Sequence, residues 1–240
     1  GDWRKLDTSA RSLSIRQASY DWGEDREARI AIERIDKPHR RNRFSEADIN
    51  ERLTALADYP KRLSGMALGF IAGQRKKDLW NRLEHDDWAG QGGVQGQHYF
   101  QGLFRLEPGK ALLLESDLPE QVRYWNVQLS DMMWNSIDWM NHQSSLNGGQ
   151  AHIDNDGRFR AVIALEDPGV PNWLDPGGHA EGALMVRWTG ASSGPEPCLK
   201  LIEVEDLKTQ LPKDTPTVSP EQRETQLRAR RRSVQLRRRW

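Results

Sequence analysis

Residues 98–129 read HYFQGLFRLEPGKALLLESDLPEQVRYWNVQL. His98–Leu106, Ala111–Ser116 and Val122–Leu129 read as strands, the last with a clear period of two and Ala111–Ser116 as a short apolar run. Glu107-Pro108-Gly109-Lys110 and Asp117-Leu118-Pro119 separate them. Pro-Gly suits the middle of a type II turn, because glycine tolerates a positive φ. Further on, Asp154-Asn155-Asp156-Gly157 reads as a hairpin turn before a strand over Arg158–Leu165. Gly182–Trp188 and Leu199–Val204 read as strands, and Glu205–Leu211 as a short helix. Short strands in succession, with no helices between them, predict an antiparallel β-sandwich of jelly-roll-like form.

Upstream the texture is helical. Residues 1–20 show no period and read as a loose arm. Ala28–Ile35 predicts a strand with Ile30 and Ile32 on one face. Ser45, with Asp48 three residues on, predicts a helix start, and Leu53, Leu56 and Ala57 keep the helical period until Pro60. A second helix is expected over Lys61–Leu83, with Leu63, Met66, Ala67, Phe70, Ile71 and Leu79 on its apolar side. Gly90–Gly96 reads as a flexible joint. Pro212–Pro220 reads as a linker, and Ser219-Pro220-Glu221 opens a last helix with proline at its first position. The class is therefore α+β: an arm and helical layer over 1–96, a sandwich over 97–211, and a linker with an Arg-rich helix over 212–240.

The chain has 240 residues and a formal net charge of zero, unevenly placed. Glu221–Trp240 holds eight arginines against two glutamates, so this tail carries +6 and the rest −6. Such a tail suits phosphate groups on nucleic acid or an anionic membrane. Leu227, Val234 and Trp240 equally suit a helix lying on the domain or on a second subunit, and the lack of interleaved aromatics argues against nucleic acid. The single cysteine, Cys198, excludes an internal disulfide. No apolar run approaches the roughly 20 residues of a membrane-spanning helix. Gly1 in place of Met suggests a processed product or a fragment and leaves open whether residues precede it; Asp2-Trp3-Arg4 is no secretory signal, which with the single cysteine favours a cytoplasmic location.

Ser144–Arg187 concentrates the side chains able to ligate or hydrogen-bond. The chain has no phosphate-loop, Gly-x-Ser-x-Gly, His-Glu-x-x-His or Cys-x-x-Cys motif, and no cofactor follows from it. His142, His152 and His179 are expected to meet Asp154 or Asp175 if a metal is held, with His152, Asp154 and His179 the candidate ligands. No closely spaced histidine pair supports that set. Asn147, Gln150, Asn172, Trp173, His179 and Arg187 form a second set, amides and charges beside a flat apolar wall, suited to a polar or anionic small molecule. The same amides suit loops that bond their own backbone. Glu166 or Asp167 with His179 would make an acid–base pair. Trp125, Trp134, Trp139 and Trp188 read as core. The expected function is binding of a small molecule in a pocket built from 144–152 and 166–187. A metal-assisted or His-based enzyme in that pocket, and a module assembling a homo-oligomer, are the alternatives.

Several strings resemble the bacterial family catalogued as domain of unknown function 1214. They are Phe104-Arg-Leu-Glu-Pro-Gly-Lys-Ala, Arg123-Tyr-Trp-Asn-Val-Gln-Leu, Ser144-Ser-Leu-Asn, Gln150, and Asp167-Pro-Gly-Val-Pro-Asn-Trp-Leu-Asp. Gly178-His179 with Gly182, Arg187-Trp188, and the closing Leu-Pro-x-Asp-Thr-Pro also match. The resemblance implies a jelly-roll sandwich, often preceded by a second domain of unknown function, and assigns no activity. Its motifs cover Asn147, Gln150, Asn172, Trp173, His179 and Arg187.

Overall fold

The computed structural model describes residues 5–7, 9, 10, 13–33, 35, 43–86, 88 and 96–237. Alternation becomes geometry most plainly in β4 (Val122–Ser130), where Trp125, Val127 and Leu129 are buried while Tyr124, Asn126 and Gln128 point the other way. The other long strands are β2 (Gln97–Arg105), β3 (Lys110–Ser116) and β8 (Glu181–Ala191). With them come β1 (Glu84–Asp86), β5 (Ser145–Asn147), β6 (Phe159–Ile163), β7 (Trp173–Leu174) and β9 (Cys198–Glu203). They form a five-stranded sheet ordered β1-β2-β8-β4-β5 and a four-stranded sheet ordered β7-β6-β3-β9. Phe100, Phe104, Leu112, Leu114, Val127, Phe159, Ile163 and Trp188 fill the space between them. This is the expected α+β antiparallel sandwich. Its sheets stay open and do not close into a barrel, and β6–β7 is a parallel pair.

Three strands escape a sequence reading. β5 and β7 have three and two residues, too few to show alternation. β1 lies between the helix expected to end at Leu83 and the joint expected from Gly90, a stretch given no strand, so the sheet begins before residue 97. Conversely, residues 28–33 and 35 form no strand and are exposed, Ile30 and Ile32 included. Alternation alone cannot hold a strand where no sheet edge offers hydrogen bonds. Most of the Gly90–Gly96 joint lies outside the described residues.

The expected pair of helices is one. Helix α1 (Glu46–Lys76) runs straight through Pro60 and ends seven residues short of Leu83. Ser45 and Asp48 form the expected capping box. Proline forfeits one backbone bond and crowds the carbonyl of Leu56. That face is exposed, so water can take the missing donor's place. Among the described residues, the last turns of α1 touch the sandwich: Ile71 is buried and Phe70 stacks on Trp134 at 4.3 Å. The helical layer is thus a single helix anchored at one end.

After α1 the chain folds along the edge of β2, where Asn81 N donates to Leu103 O at 2.7 Å and Leu103 N donates to Leu79 O at 2.9 Å. This path needs Gly102. A Cβ there would sit 1.8 Å from the Arg82 carbonyl oxygen. Gly102→Ala is expected to destabilise the fold by about 3 kcal/mol, because backbone must move to relieve the clash. Urea denaturation would measure it, and a wild-type midpoint would refute the packing described.

The tail closes the fold. After a single 3₁₀ turn (Val204–Asp206) and α2 (Leu207–Gln210), helix α3 (Pro220–Leu236) starts at Ser219 with a capping box and Pro220 inside its first turn. Its Arg223, Arg230 and Val234 are buried against the domain. Arg223 pairs with Asp167 at 2.9 Å and its guanidinium lies 5.4 Å from the Trp173 ring centre. The Arg-rich helix lies on its own domain.

Candidate functional site

The polar phase of β4 faces away from the core, and its neighbours do the same. Register places Tyr99, Arg187, Asn126 and Asn147 side by side across β2, β8, β4 and β5. Arg187 and Asn147 are therefore two strand spacings apart, about 10 Å. Gln97, Thr189 and Tyr124 form the next row. Over this floor lies the segment 16–25, and the end of α3 contributes Arg237. The cavity so formed is half open to solvent and has a volume of about 700 Å³, within the size range of small-molecule sites. Tyr20, Trp22, Tyr124 and Trp139 give it aromatic walls.

The roof is held by specific bonds. Asn147 Nδ2 donates to the carbonyls of Ser19 (3.3 Å) and Tyr20 (3.1 Å), while its Oδ1 accepts from Gly149 N and Gln150 N. Gly148 and Gly149 allow the close approach, since a Cβ on either would lie 2.9 Å from Tyr20. Arg230 donates to Trp139 O and Ser145 Oγ, and its guanidinium lies 4.6 Å from the Trp22 ring centre. Burial lowers the Arg230 guanidinium to about 10. The arm read as loose from sequence is thus the lid of the cavity.

Charge is unbalanced inside. Four arginines (16, 123, 187 and 237) and one aspartate, Asp25, line the cavity. Arg237 is paired with Glu27, and Asp25 is occupied by Ser19 Oγ, Tyr20 N and Asp21 N. Arg187 is partly buried in the floor. No carboxylate among the described residues pairs with it; its Nη2 meets Met185 Sδ at 2.9 Å and its guanidinium lies 5.2 Å from the Tyr99 ring centre. Its Nε, and the Oδ1 of neighbouring Asn126, are buried without a hydrogen-bond partner. Burial pushes the Arg187 guanidinium below its usual value, Arg16 adds to the shift, and Tyr99 and Tyr124 oppose it. Burial likewise raises the Tyr124 phenol.

The structure divides the residues that sequence grouped together. Asn147, Gln150 and Arg187 share the cavity. Asn172 does not: its Nδ2 donates to His152 O and Arg160 O, both at 2.7 Å, and its Oδ1 accepts from His152 N at 2.8 Å. The void beside it, about 10 Å³, holds no more than one water. Trp173 donates to Ala164 O and lines a separate cleft of about 450 Å³ under α3. His179 stands exposed on a turn, its N bonded to Pro176 O. The loop 166–187 therefore supplies only Arg187 to the cavity, and the pocket expected from two loops is built instead on a sheet face beneath the arm.

The metal and acid–base sets come apart for the same reason. Among the described residues, no three His, Cys, Asp or Glu side chains are grouped to hold a metal ion. His142 bonds Asp175 at 2.7 Å, and His152 lies 3.5 Å from Asp154, whose other oxygen pairs with Arg160. Asp167 is taken by Arg223, and Glu166 is exposed. No histidine or cysteine among the described residues lines the main cavity. Sequence reasoning missed Tyr124, Asn126, Gln128 and Thr189. Their signal was there, as the outward polar phase of β4 and β8.

Fold and cavity together define an open sandwich with an arginine-floored cavity under an N-terminal arm. An uncharacterised protein from Burkholderia cenocepacia has a similar structure, with a TM-score of 0.67, 26% sequence identity, and a match covering 72% of this chain. That match covers 48% of the Burkholderia protein, so this chain corresponds to about half its length. The VPA0106 protein from Vibrio parahaemolyticus is more distant, at 18% identity over 47% of this chain and 33% of that protein, with a TM-score of 0.36. No protein-family model matches the sequence, and no curated protein is significantly similar to it. No helix among the described residues is long and apolar enough to cross a membrane.

Proposed function

We propose that this protein binds a small anion with a flat apolar part, such as an aromatic carboxylate, in the cavity under the arm. The proposal keeps the chain with the domain of unknown function 1214 family, whose strings include Asn126, Asn147 and Arg187. The observation that carries it is Arg187. Arg187 is partly buried, its Nε fully so, with no carboxylate partner among the described residues, and a fold tolerates such a cation where a ligand supplies the missing charge. Water could bridge Arg187 Nε to Asn126 Oδ1, but it would leave the charge unmatched. A carboxylate would meet Arg187, with Arg123 and Arg16 nearby, while the rings of Tyr20 and Tyr124, 5.1 Å apart, take the apolar part.

Arg187→Met separates binding from folding. Without ligand, the variant is expected to be at least as stable as wild type, by up to about 1 kcal/mol, because a partly buried charge with no acidic partner among the described residues is removed. Thermal melts with benzoate, indole-3-acetate and phenyl phosphate are expected to stabilise wild type with at least one of them and to leave Arg187→Met unmoved. A variant that loses more than about 2 kcal/mol, or that responds like wild type, would refute the reading.

A further inference from the structure

Most neutral polar side chains of the main cavity are already engaged. Gln97 donates to Thr189 Oγ1 and accepts from the Tyr99 hydroxyl, and Gln128 donates to Ser136 Oγ. Asn147 holds the arm and the turn that follows β5. Tyr20 and Tyr124 stay neutral, because burial raises both phenols. What the cavity still offers a ligand is positive charge. Among the lining residues and their ion-pair partners, Arg16, Arg123, Arg187 and Arg237 stand against Asp25 and Glu27, four charges against two and a net +2. Arg230, bonded to Trp139 O and Ser145 Oγ in the wall, adds a cation with no acid beside it. The whole chain is neutral, so the surplus is local.

Arg16, Arg123 and Arg187 have no acidic partner among the described residues. Arg16, on the arm, lies close enough to Arg187, in the floor, to push its guanidinium further down. Two guanidiniums brought together repel, and an anion between them relieves both. A carboxylate has two oxygens and one charge, which one arginine fork satisfies. A phosphate monoester has three free oxygens and close to two charges, enough for two forks. Resting on the anion reading above, we propose that the ligand is a dianion, an aryl phosphate monoester, with its phosphate shared by Arg187 and Arg16, Arg123 at the rim, and its ring against Tyr20 and Tyr124.

Calorimetric titration of the whole chain at about pH 8 compares phenyl phosphate with benzenesulfonate, a monoanion of similar shape. The phosphate is expected to bind with a Kd about tenfold lower. As pH falls to about 5 the phosphate takes up a proton, its second pKa being about 6, and the preference is expected to shrink below about threefold. The protein's side of the balance holds steady over that range. No histidine or cysteine among the described residues lines the cavity, and hydrogen bonds hold the Asp25 carboxyl below its ordinary value. Arg16→Gln is expected to reduce the preference at pH 8 below about threefold, and Arg187→Met to abolish binding of both probes. Equal binding of the two probes, a preference that ignores pH, or one that survives Arg16→Gln overturns the dianion and leaves the anion reading standing. Failure of both probes to bind folded wild type overturns that reading as well, as does phenyl phosphate bound equally well by Arg187→Met.

Discussion

Asn172→Ala is expected to destabilise the protein by about 4 kcal/mol while leaving ligand responses at the main cavity intact. The amide makes three hydrogen bonds of 2.7–2.8 Å to backbone groups of His152 and Arg160 and is 6% exposed. Truncation strands those groups, and each unmet buried partner costs about 1–3 kcal/mol. The adjoining void of about 10 Å³ admits too little water to take over. Asn172→Asp tests the geometry more finely, since it keeps the acceptor for His152 N and loses both donors. Urea denaturation should place it below wild type. Wild-type stability in Asn172→Ala, with lost binding, would return this residue to the ligand site.

Arg160→Met is expected to cost a similar amount, about 4 kcal/mol, by a different route. Arg160 reaches Asp154 at 2.7 Å, Glu115 at 2.8 Å and Asp156 at 2.7 Å, and Asp154 is buried. Removing the cation leaves the Asp154 carboxylate in a dry site without its partner. Adding Asp154→Asn should recover much of the loss, and the double-mutant cycle measures the coupling. The pair also gives a pH signature. The Arg160 side chain, hydrogen-bonded to Asp156, holds that carboxyl at about 2, below its ordinary value. A carboxylate with a lowered folded value stabilises the fold above its unfolded value and loses that contribution as pH falls towards the folded one. Wild type should therefore lose this contribution between about pH 4 and pH 2, and Arg160→Met should show a smaller loss, since only the Arg158 backbone N–H and the Arg158 charge still hold the Asp156 carboxyl down.

How much was legible in the sequence differs from residue to residue. Ser45 and Ser219 announce their helices because a cap is a contact between residues three apart. Pro60 misleads for a related reason: its cost is local, but whether a helix bears that cost depends on whether water reaches the break. Ile30 and Ile32 alternate like a strand, yet a strand needs an edge to join, and none is offered to them. Asn147 and Asn172 have the same chemistry and similar settings in sequence. One holds the arm over the cavity and the other staples a hairpin, and neither role can be read from the amide itself.

What the sequence determined by itself was the set of residues on each face. In β4 the period of two sends Trp125, Val127 and Leu129 inward and Tyr124, Asn126 and Gln128 outward, because successive side chains of a strand must point to opposite sides. Tertiary structure alone decided which outward residues meet. Tyr99, Arg187, Asn126 and Asn147 come from strands as far as 88 positions apart in the chain, and sheet order and register, set by burial of the opposite face, brought them into one row. The same arrangement left Arg187 without an acid among the described residues. Pairing is a property of neighbours in space, and no local pattern encodes it.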